Sequence, residues 1–172
     1  MDRPEKVFLP NSEHCFVCGE INAAGLQTRF FVEDGVVKAE LAPRTHHCGY
    51  PNVLHGGVVA AVLDECMGWA AARAIERMCV TAEMTLRYIK PVPADRTTTA
   101  CAEVVRASKR LASAKGVIVD EDGTEYVRAE ARFMPLSVEQ TLHVDDNLLY
   151  RGGEERVFDT LRQEANGQSE GE

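Results

Sequence analysis

The stretch Gly56-Gly57-Val58-Val59-Ala60-Ala61-Val62-Leu63-Asp64-Glu65-Cys66-Met67-Gly68-Trp69-Ala70-Ala71-Ala72-Arg73-Ala74-Ile75-Glu76 decides the fold. It is largely apolar, lacks proline and is the one long helical pattern in the body of the chain. On either side the pattern turns to strand. Upstream, residues 26–32 and 36–41 flank Glu33-Asp34-Gly35, whose Asp-Gly pair is a hairpin signal. Downstream, four strand-like runs follow at 79–89, 97–107, 111–120 and 124–134. Pro91-Val92-Pro93-Ala94-Asp95, Ser108-Lys109-Arg110 and Glu121-Asp122-Gly123 separate them, and the last two gaps fit antiparallel hairpins. The order β-β-α-β-β-β-β predicts an α+β architecture, a curved antiparallel six-stranded sheet wrapped around one long helix.

The 172 residues fit one domain with a real core, and 45% apolar with 27% charged residues excludes a disordered or collagen-like chain. A net charge of -8 argues against a nucleic-acid partner. Most of it is local, since residues 136–172 hold nine acids against three arginines. That leaves a nearly neutral body, which can still carry a basic patch for an anionic ligand. The opening Met1-Asp2-Arg3-Pro4-Glu5-Lys6 is too charged for a signal peptide, and no apolar run approaches the ~18 residues of a membrane span. Six scattered cysteines do not make a disulfide framework, so the chain reads as cytoplasmic. The expected division is a folded domain at 1–135, irregular over 1–25, and an acidic extension at 136–172. The extension holds a short helix at 154–164 and a disordered end from Asn166 to Gly171.

Within the helix, Gly57, Ala61, Asp64, Gly68 and Ala71 share one face, and all are small except the carboxylate. Such a stripe lets a backbone or a ligand approach closely; a tightly packed helix with Asp64 tolerated at an edge accounts for it about as well. Glu65 lies about 100° around the helix, with Ala61, Val62 and Trp69, and is expected to make a structural ion pair or hydrogen bond. Just upstream, Leu54-His55-Gly56-Gly57 brings backbone N–H groups to a helix N-terminus, where developing negative charge is favoured. Alone, it would read as a capped turn.

Together these residues resemble hotdog-fold acyl-CoA thioesterases, in particular the phenylacetate-pathway branch. The resemblance is carried by His55-Gly56-Gly57 with Leu63-Asp64-Glu65, and by Gly49-Tyr50-Pro51-Asn52-Val53-Leu54 before them. Thr81-Ala82-Glu83-Met84-Thr85-Leu86-Arg87-Tyr88, Pro91-Val92-Pro93 and the segment from Cys15-Phe16-Val17-Cys18-Gly19 to Asn22-Ala23-Ala24-Gly25-Leu26 add to it. It spans about residues 14–135. It implies hydrolysis of an acyl-CoA to the free acid and CoA, with no cofactor. Asp64 would act as general base or nucleophile, the Gly56 N–H would bind the thioester oxygen, His55 would organise the turn and Thr81 would position water. Gly57 and Asn52 are further substrate-side candidates. Some relatives carry Asn where this chain has Gly49, which leaves open the side chain that steadies the water.

Other constellations carry less. Cys15 and Cys18, with His14, His46, His47 or Cys48, could ligate zinc, but a single CxxC is a weak signal and structural thiols are expected instead. Arg106, Lys109 and Arg110 form the clearest basic cluster and are candidates for the phosphates of CoA. No GxSxG elbow, P-loop or dinucleotide fingerprint occurs. A hydratase or dehydratase of the same fold is disfavoured by Cys48-Gly49-Tyr50-Pro51; a non-catalytic acyl-CoA binder is disfavoured by Asp64 itself.

Helix geometry adds an expectation about assembly. Asp64 lies eight residues beyond Gly56, about 12 Å along the axis. A reacting carbon and its catalytic groups must lie within about 3–3.5 Å. Two antiparallel copies of the helix would bring Gly56 of one chain to Asp64 of the other. This predicts a homodimer, or a dimer of dimers, with sites between subunits.

Overall fold

The helix α1 (Gly56–Ile75) is enclosed on most sides, with Val59, Val62, Leu63, Cys66, Met67, Trp69, Ala70, Ala71 and Ala72 all buried. It ends at Glu76, whose left-handed backbone (φ 56) closes the last turn through its N–H to Ala72. The computed structural model describes residues 5–169. The enclosing layer is one seven-stranded antiparallel sheet. In chain order its strands are β1 (Val7–Phe8), β3 (Phe30–Glu33), β4 (Val36–Leu41), β7 (Cys79–Tyr88), β8 (Thr98–Ala107), β9 (Ala112–Asp120) and β10 (Glu125–Pro135). Across the sheet they run β1-β3-β4-β8-β9-β10-β7. Two small ribbons complete the set: β2 (Asn11–Ser12) with β11 (Leu148–Leu149), and β5 (Cys48–Tyr50) with β6 (Val53–Leu54).

The six expected strands are present, and β1 is the addition at one edge. The Asp34-Gly35 turn has both residues at positive φ (53 and 79), as a two-residue hairpin loop requires. Alternating burial along β9 and β10 turns one face of each strand to the helix. The middle of that face, with Ile118, Val127 and Phe133 beside it, is built from small residues: Ala100 and Ala102 on β8, Ala112, Ala114 and Gly116 on β9, and Ala129 and Ala131 on β10. Their size is what lets α1 seat deeply. At Gly116, a Cβ would stand 3.1 Å from side-chain atoms of both Leu63 and Met67. At the opposite edge β7 has a single neighbour, β10, and Val80, Tyr88 and Ile89 stand about half exposed along and just beyond it.

The acidic extension departs from expectation. Helix α2 (Val138–Asp145) opens with a capping box between Ser137 and Gln140, a Ser-x-x-Gln signal legible in the sequence. β11 then pairs with β2, and Phe158 is fully buried in the same core as α1. The acids of this segment are tied down by arginines: Glu155 to Arg73 (2.8 Å), Glu154 to Arg29 (3.2 Å), and Asp145 and Asp146 to Arg162. The expected helix at 154–164 is displaced to α3 (Asp159–Ser169), because residues 154–158 are held by Arg29, Arg73 and the core. Asn166 to Ser169, expected to fray, belong to that helix, while Glu170 and Gly171 lie outside the described residues.

A test of the extension's place in the fold follows. Phe158→Ala removes a fully buried ring and should cost about 3–5 kcal/mol in denaturant unfolding. A loss below about 1 kcal/mol would mean that the extension is an appendage.

Candidate functional site

The entry to α1 is assembled by local hydrogen bonds. His55 is the N-cap, its backbone extended (φ -64, ψ 133), and its Nδ1 accepts the Gly57 N–H at 2.9 Å. In the neutral ring this puts the remaining proton on Nε2. Two glycines make room for that ring. A Cβ at Gly57 would stand 3.1 Å from Nδ1, and one at Gly49 would stand 3.2 Å from Cδ2. A Cβ at position 49 would require the His55 ring to give by a few tenths of an ångström. The Gly56 N–H has no hydrogen-bond partner among the described residues, as expected for the first position of a helix. Its carbonyl accepts the Tyr88 hydroxyl at 2.7 Å, and burial raises the pKa of that phenol. A cavity of about 530 Å³ opens here, lined by Gly49, His55, Gly56, Tyr88 and Lys90 among others.

Asp64 opens onto a different cavity, of about 260 Å³, with Thr81, Gly68, Trp69, Phe133 and Leu148 in its wall. Thr81 donates its hydroxyl to Asp64 Oδ1 at 2.6 Å, so the carboxylate is oriented from β7. Cys15, Cys18 and Glu65 line the same cavity. Glu65 forms the expected structural contact, and its partner is the Cys15 thiol at 3.1 Å. The Cys15 thiol is held down to about 5, first by its hydrogen bond with Cys18, then by the backbone N–H groups of Cys18 and Val17 and by Glu65. Cys18 is pushed up by Cys15 and by burial; Glu65 is pushed up to about 8 by burial and then by Cys15.

The structure thus gathers the sequence candidates into two groups. His55, Gly56 and Gly57 sit at one end of α1, and Asp64 with Thr81 sits two turns on, in another cavity. The small-residue stripe is only partly available, since Ala71 is fully buried within the chain itself while Gly57, Ala61, Asp64 and Gly68 retain exposure. Asn52 does not line either cavity. It takes a left-handed backbone (φ 59) in the turn between β5 and β6, and its carbonyl accepts the Ala94 N–H at 2.9 Å. Arg106, Lys109 and Arg110 are exposed at the β8–β9 turn, which Ser108 closes. They are remote from the helix entry. Through Ala107↔Ala112, Ala112↔Phe133 and Phe133↔Thr81, their turn shares a row with Thr81, about 14 Å away across three strand spacings. Tyr88, Lys90 and the Cys15–Glu65 contact escaped the sequence reading. Of these, only Tyr88 had a signal: it ends the strand that also carries Thr81.

Comparison with known proteins agrees with this architecture. A family model of the thioesterase superfamily matches residues 51–127. A thioesterase superfamily protein of known structure is 28% identical, with a TM-score of 0.66 over 71% of this chain and 60% of that one. The chain therefore spans about three fifths of that protein's length. The Escherichia coli PaaI protein from the phenylacetic acid degradation operon is 17% identical (TM-score 0.59, 65% of this chain and 81% of that one). A hypothetical thioesterase protein from Streptococcus pneumoniae, solved with coenzyme A, is 19% identical (TM-score 0.56, 60% and 80%). At those identities the last two are likenesses of fold. No curated protein matches the chain. Among the described residues no helix is long and apolar enough to cross a membrane. With the family-model match running from Pro51, ahead of the helix entry, to Val127 in β10, and the sheet wrapped around α1, the chain has the hotdog fold of thioesterase-superfamily proteins.

Proposed function

We propose that this protein hydrolyses an acyl-CoA thioester to the free acid and coenzyme A, at sites formed between two copies of the chain. The observation that carries the reading is Asp64, a partly exposed carboxylate held by the Thr81 hydroxyl at 2.6 Å at the edge of a cavity. The family-model match over residues 51–127 and the coenzyme A solved with the pneumococcal fold neighbour support the substrate class.

The chemistry follows from the groups available. With Thr81 on Oδ1, Asp64 keeps Oδ2 to take a proton from water or to attack the carbonyl itself. The tetrahedral intermediate carries its charge on the former carbonyl oxygen, which needs a donor fixed in advance. The free Gly56 N–H, at the positive end of α1, is such a donor, and His55 and Tyr88 brace the turn around it. Collapse of the intermediate breaks the C–S bond, and the CoA thiolate takes a proton.

These groups cannot converge within one chain, because about 12 Å of helix separates Gly56 from Asp64. A second copy solves this. β7 is an unpaired edge with half-exposed Val80 and Tyr88, of the kind that proteins normally cover. Two β7 edges pairing antiparallel about an axis near Met84 and Thr85 would set Thr81 opposite Tyr88 of the partner subunit. The helix entry of one copy would then face the carboxylate of the other, twice per dimer. Arg106, Lys109 and Arg110 form no ion pair among the described residues and are free to meet phosphates at the end of the sheet that carries Thr81.

Two experiments test this reading. Asp64→Asn should lower free-thiol release from a panel of acyl-CoAs by roughly a hundred- to ten-thousand-fold while leaving the unfolding transition in place. Near-normal turnover would remove the mechanism, and acyl-CoA binding without thiol release by the wild type would make the protein a binder. Alanine at Arg106, Lys109 and Arg110 together should raise KM more than it lowers kcat, and added salt should do the same to the wild type. An unchanged KM would return that cluster to a solvated turn.

A further inference from the structure

Beside Asp64 lies a cluster that the hydrolytic reading leaves unused. Cys15, Val17, Cys18 and Gly19 form a turn whose backbone is organised around one sulfur. The Cys15 Sγ accepts the N–H of Val17 at 3.3 Å and of Cys18 at 3.5 Å, and the Gly19 N–H returns to the Cys15 carbonyl at 3.0 Å. No side chain fits at Gly19, since a Cβ there would stand 2.4 Å from the Cys15 carbonyl oxygen and 2.7 Å from that of Glu13. Onto this turn α1 projects Glu65, 3.1 Å from the Cys15 Sγ. The two sulfurs and a carboxylate oxygen all lie within 4.8 Å of one another, the one such group of three among the described residues. His14, His46, His47 and Cys48 are not part of it. All three groups are anionic when deprotonated. Among the described residues no lysine, arginine or histidine forms an ion pair with Glu65, so the cluster lacks a positive charge.

We propose that Cys15, Cys18 and Glu65 bind one thiophilic divalent cation, zinc above others, with its fourth position open to the cavity shared by Asp64 and Thr81. Two thiolates exclude magnesium and calcium as preferred occupants and suit zinc. Zinc–sulfur bonds of about 2.3 Å put tetrahedral ligand atoms about 3.8 Å apart, which the present positions reach with small adjustments. The thiol protons leave to solvent as the metal enters, and nothing is oxidised or reduced. The cation would cross-link the N-terminal segment to the middle of α1 and fix the wall of the Asp64 cavity. The proposal does not rest on the hydrolytic reading.

The test uses the full chain, kept reduced, stripped with a chelator and then given zinc alone or cobalt(II) alone. About one equivalent of zinc per chain should survive desalting, and the unfolding midpoint should rise with it. Cobalt should give a thiolate-to-metal charge-transfer absorption. Cys15→Ser and Cys18→Ser should each lose that absorption, and Cys48→Ser should keep it. Glu65→Gln, which changes no volume, should keep the absorption and bind zinc roughly ten-fold or more weakly. Retention of negligible zinc by the wild type overturns the proposal. So does a cobalt absorption that persists in Cys18→Ser, or equal zinc affinity in Glu65→Gln. None of these readouts involves turnover, so the site and the catalytic reading fail separately.

Discussion

The structure depends on how α1 is held. Its apolar side chains are enclosed by a sheet whose inner face carries a block of alanines on β8, β9 and β10, with Gly116 where Leu63 and Met67 press closest. That fit makes the helix a rigid ruler. Gly56 stands at its free end and Asp64 two turns along, and neither can move toward the other without unseating the core. The two cavities follow from this spacing, one beneath Tyr88 and one beneath Thr81. So does the need for a second helix if an oxyanion donor and a carboxylate are to act on one carbonyl. β7 carries Thr81 at one end and Tyr88 at the other, so the same strand braces both halves and offers the edge along which two copies can meet.

Around this frame, part of the wall of the Asp64 cavity comes from segments outside the helix and the main sheet. Ser12, Cys15 and Cys18 come from before β3, and Val144 and Leu148 from the extension after β10. The β2–β11 ribbon joins these segments, and Phe158 anchors the extension in the core. Four carboxylates of the acidic extension, Asp145, Asp146, Glu154 and Glu155, are matched to Arg162, Arg29 and Arg73. What the extension adds to the cavity is shape: Val144 and Leu148 close one side of the space that Asp64 and Thr81 also line.

What could be read from sequence divides along the distance over which each signal acts. The helix, the six main strands and the Asp34-Gly35 hairpin are local patterns, and the structure reproduces them. Asp64 was visible because a lone carboxylate on a face of small residues is conspicuous within one helix. Thr81 is named through a family likeness, as a residue that would position water; its hydrogen bond to Asp64 is nonlocal and comes from the structure. By contrast, Cys15 and Glu65 lie 50 residues apart, and only the packing of the N-terminal turn on α1 brings them together. Tyr88 meets Gly56 for the same nonlocal reason. The burial of Ala71 depends on sheet curvature, which helical periodicity does not encode. α2 has a local signal of its own, the Ser137-x-x-Gln140 capping box, at the start of an extension whose composition is mainly acidic. Asn52 draws attention by its neighbours, and in the structure it takes a left-handed backbone in the β5–β6 turn.

The account stands on one claim, that a working site takes its helix entry from one chain and its carboxylate from another. Gly56→Pro removes the N–H at a helix position that tolerates proline, after a His55 backbone already extended, and a Cβ there meets the Tyr88 hydroxyl at an ordinary 3.5 Å. Asp64→Ala removes the carboxylate. Each variant alone should be inactive, and subunit exchange between them should restore thiol release, because each mixed dimer regains one intact site. Mixtures that stay as inactive as their parents after verified exchange, or full activity from an isolated monomer, would contradict the account.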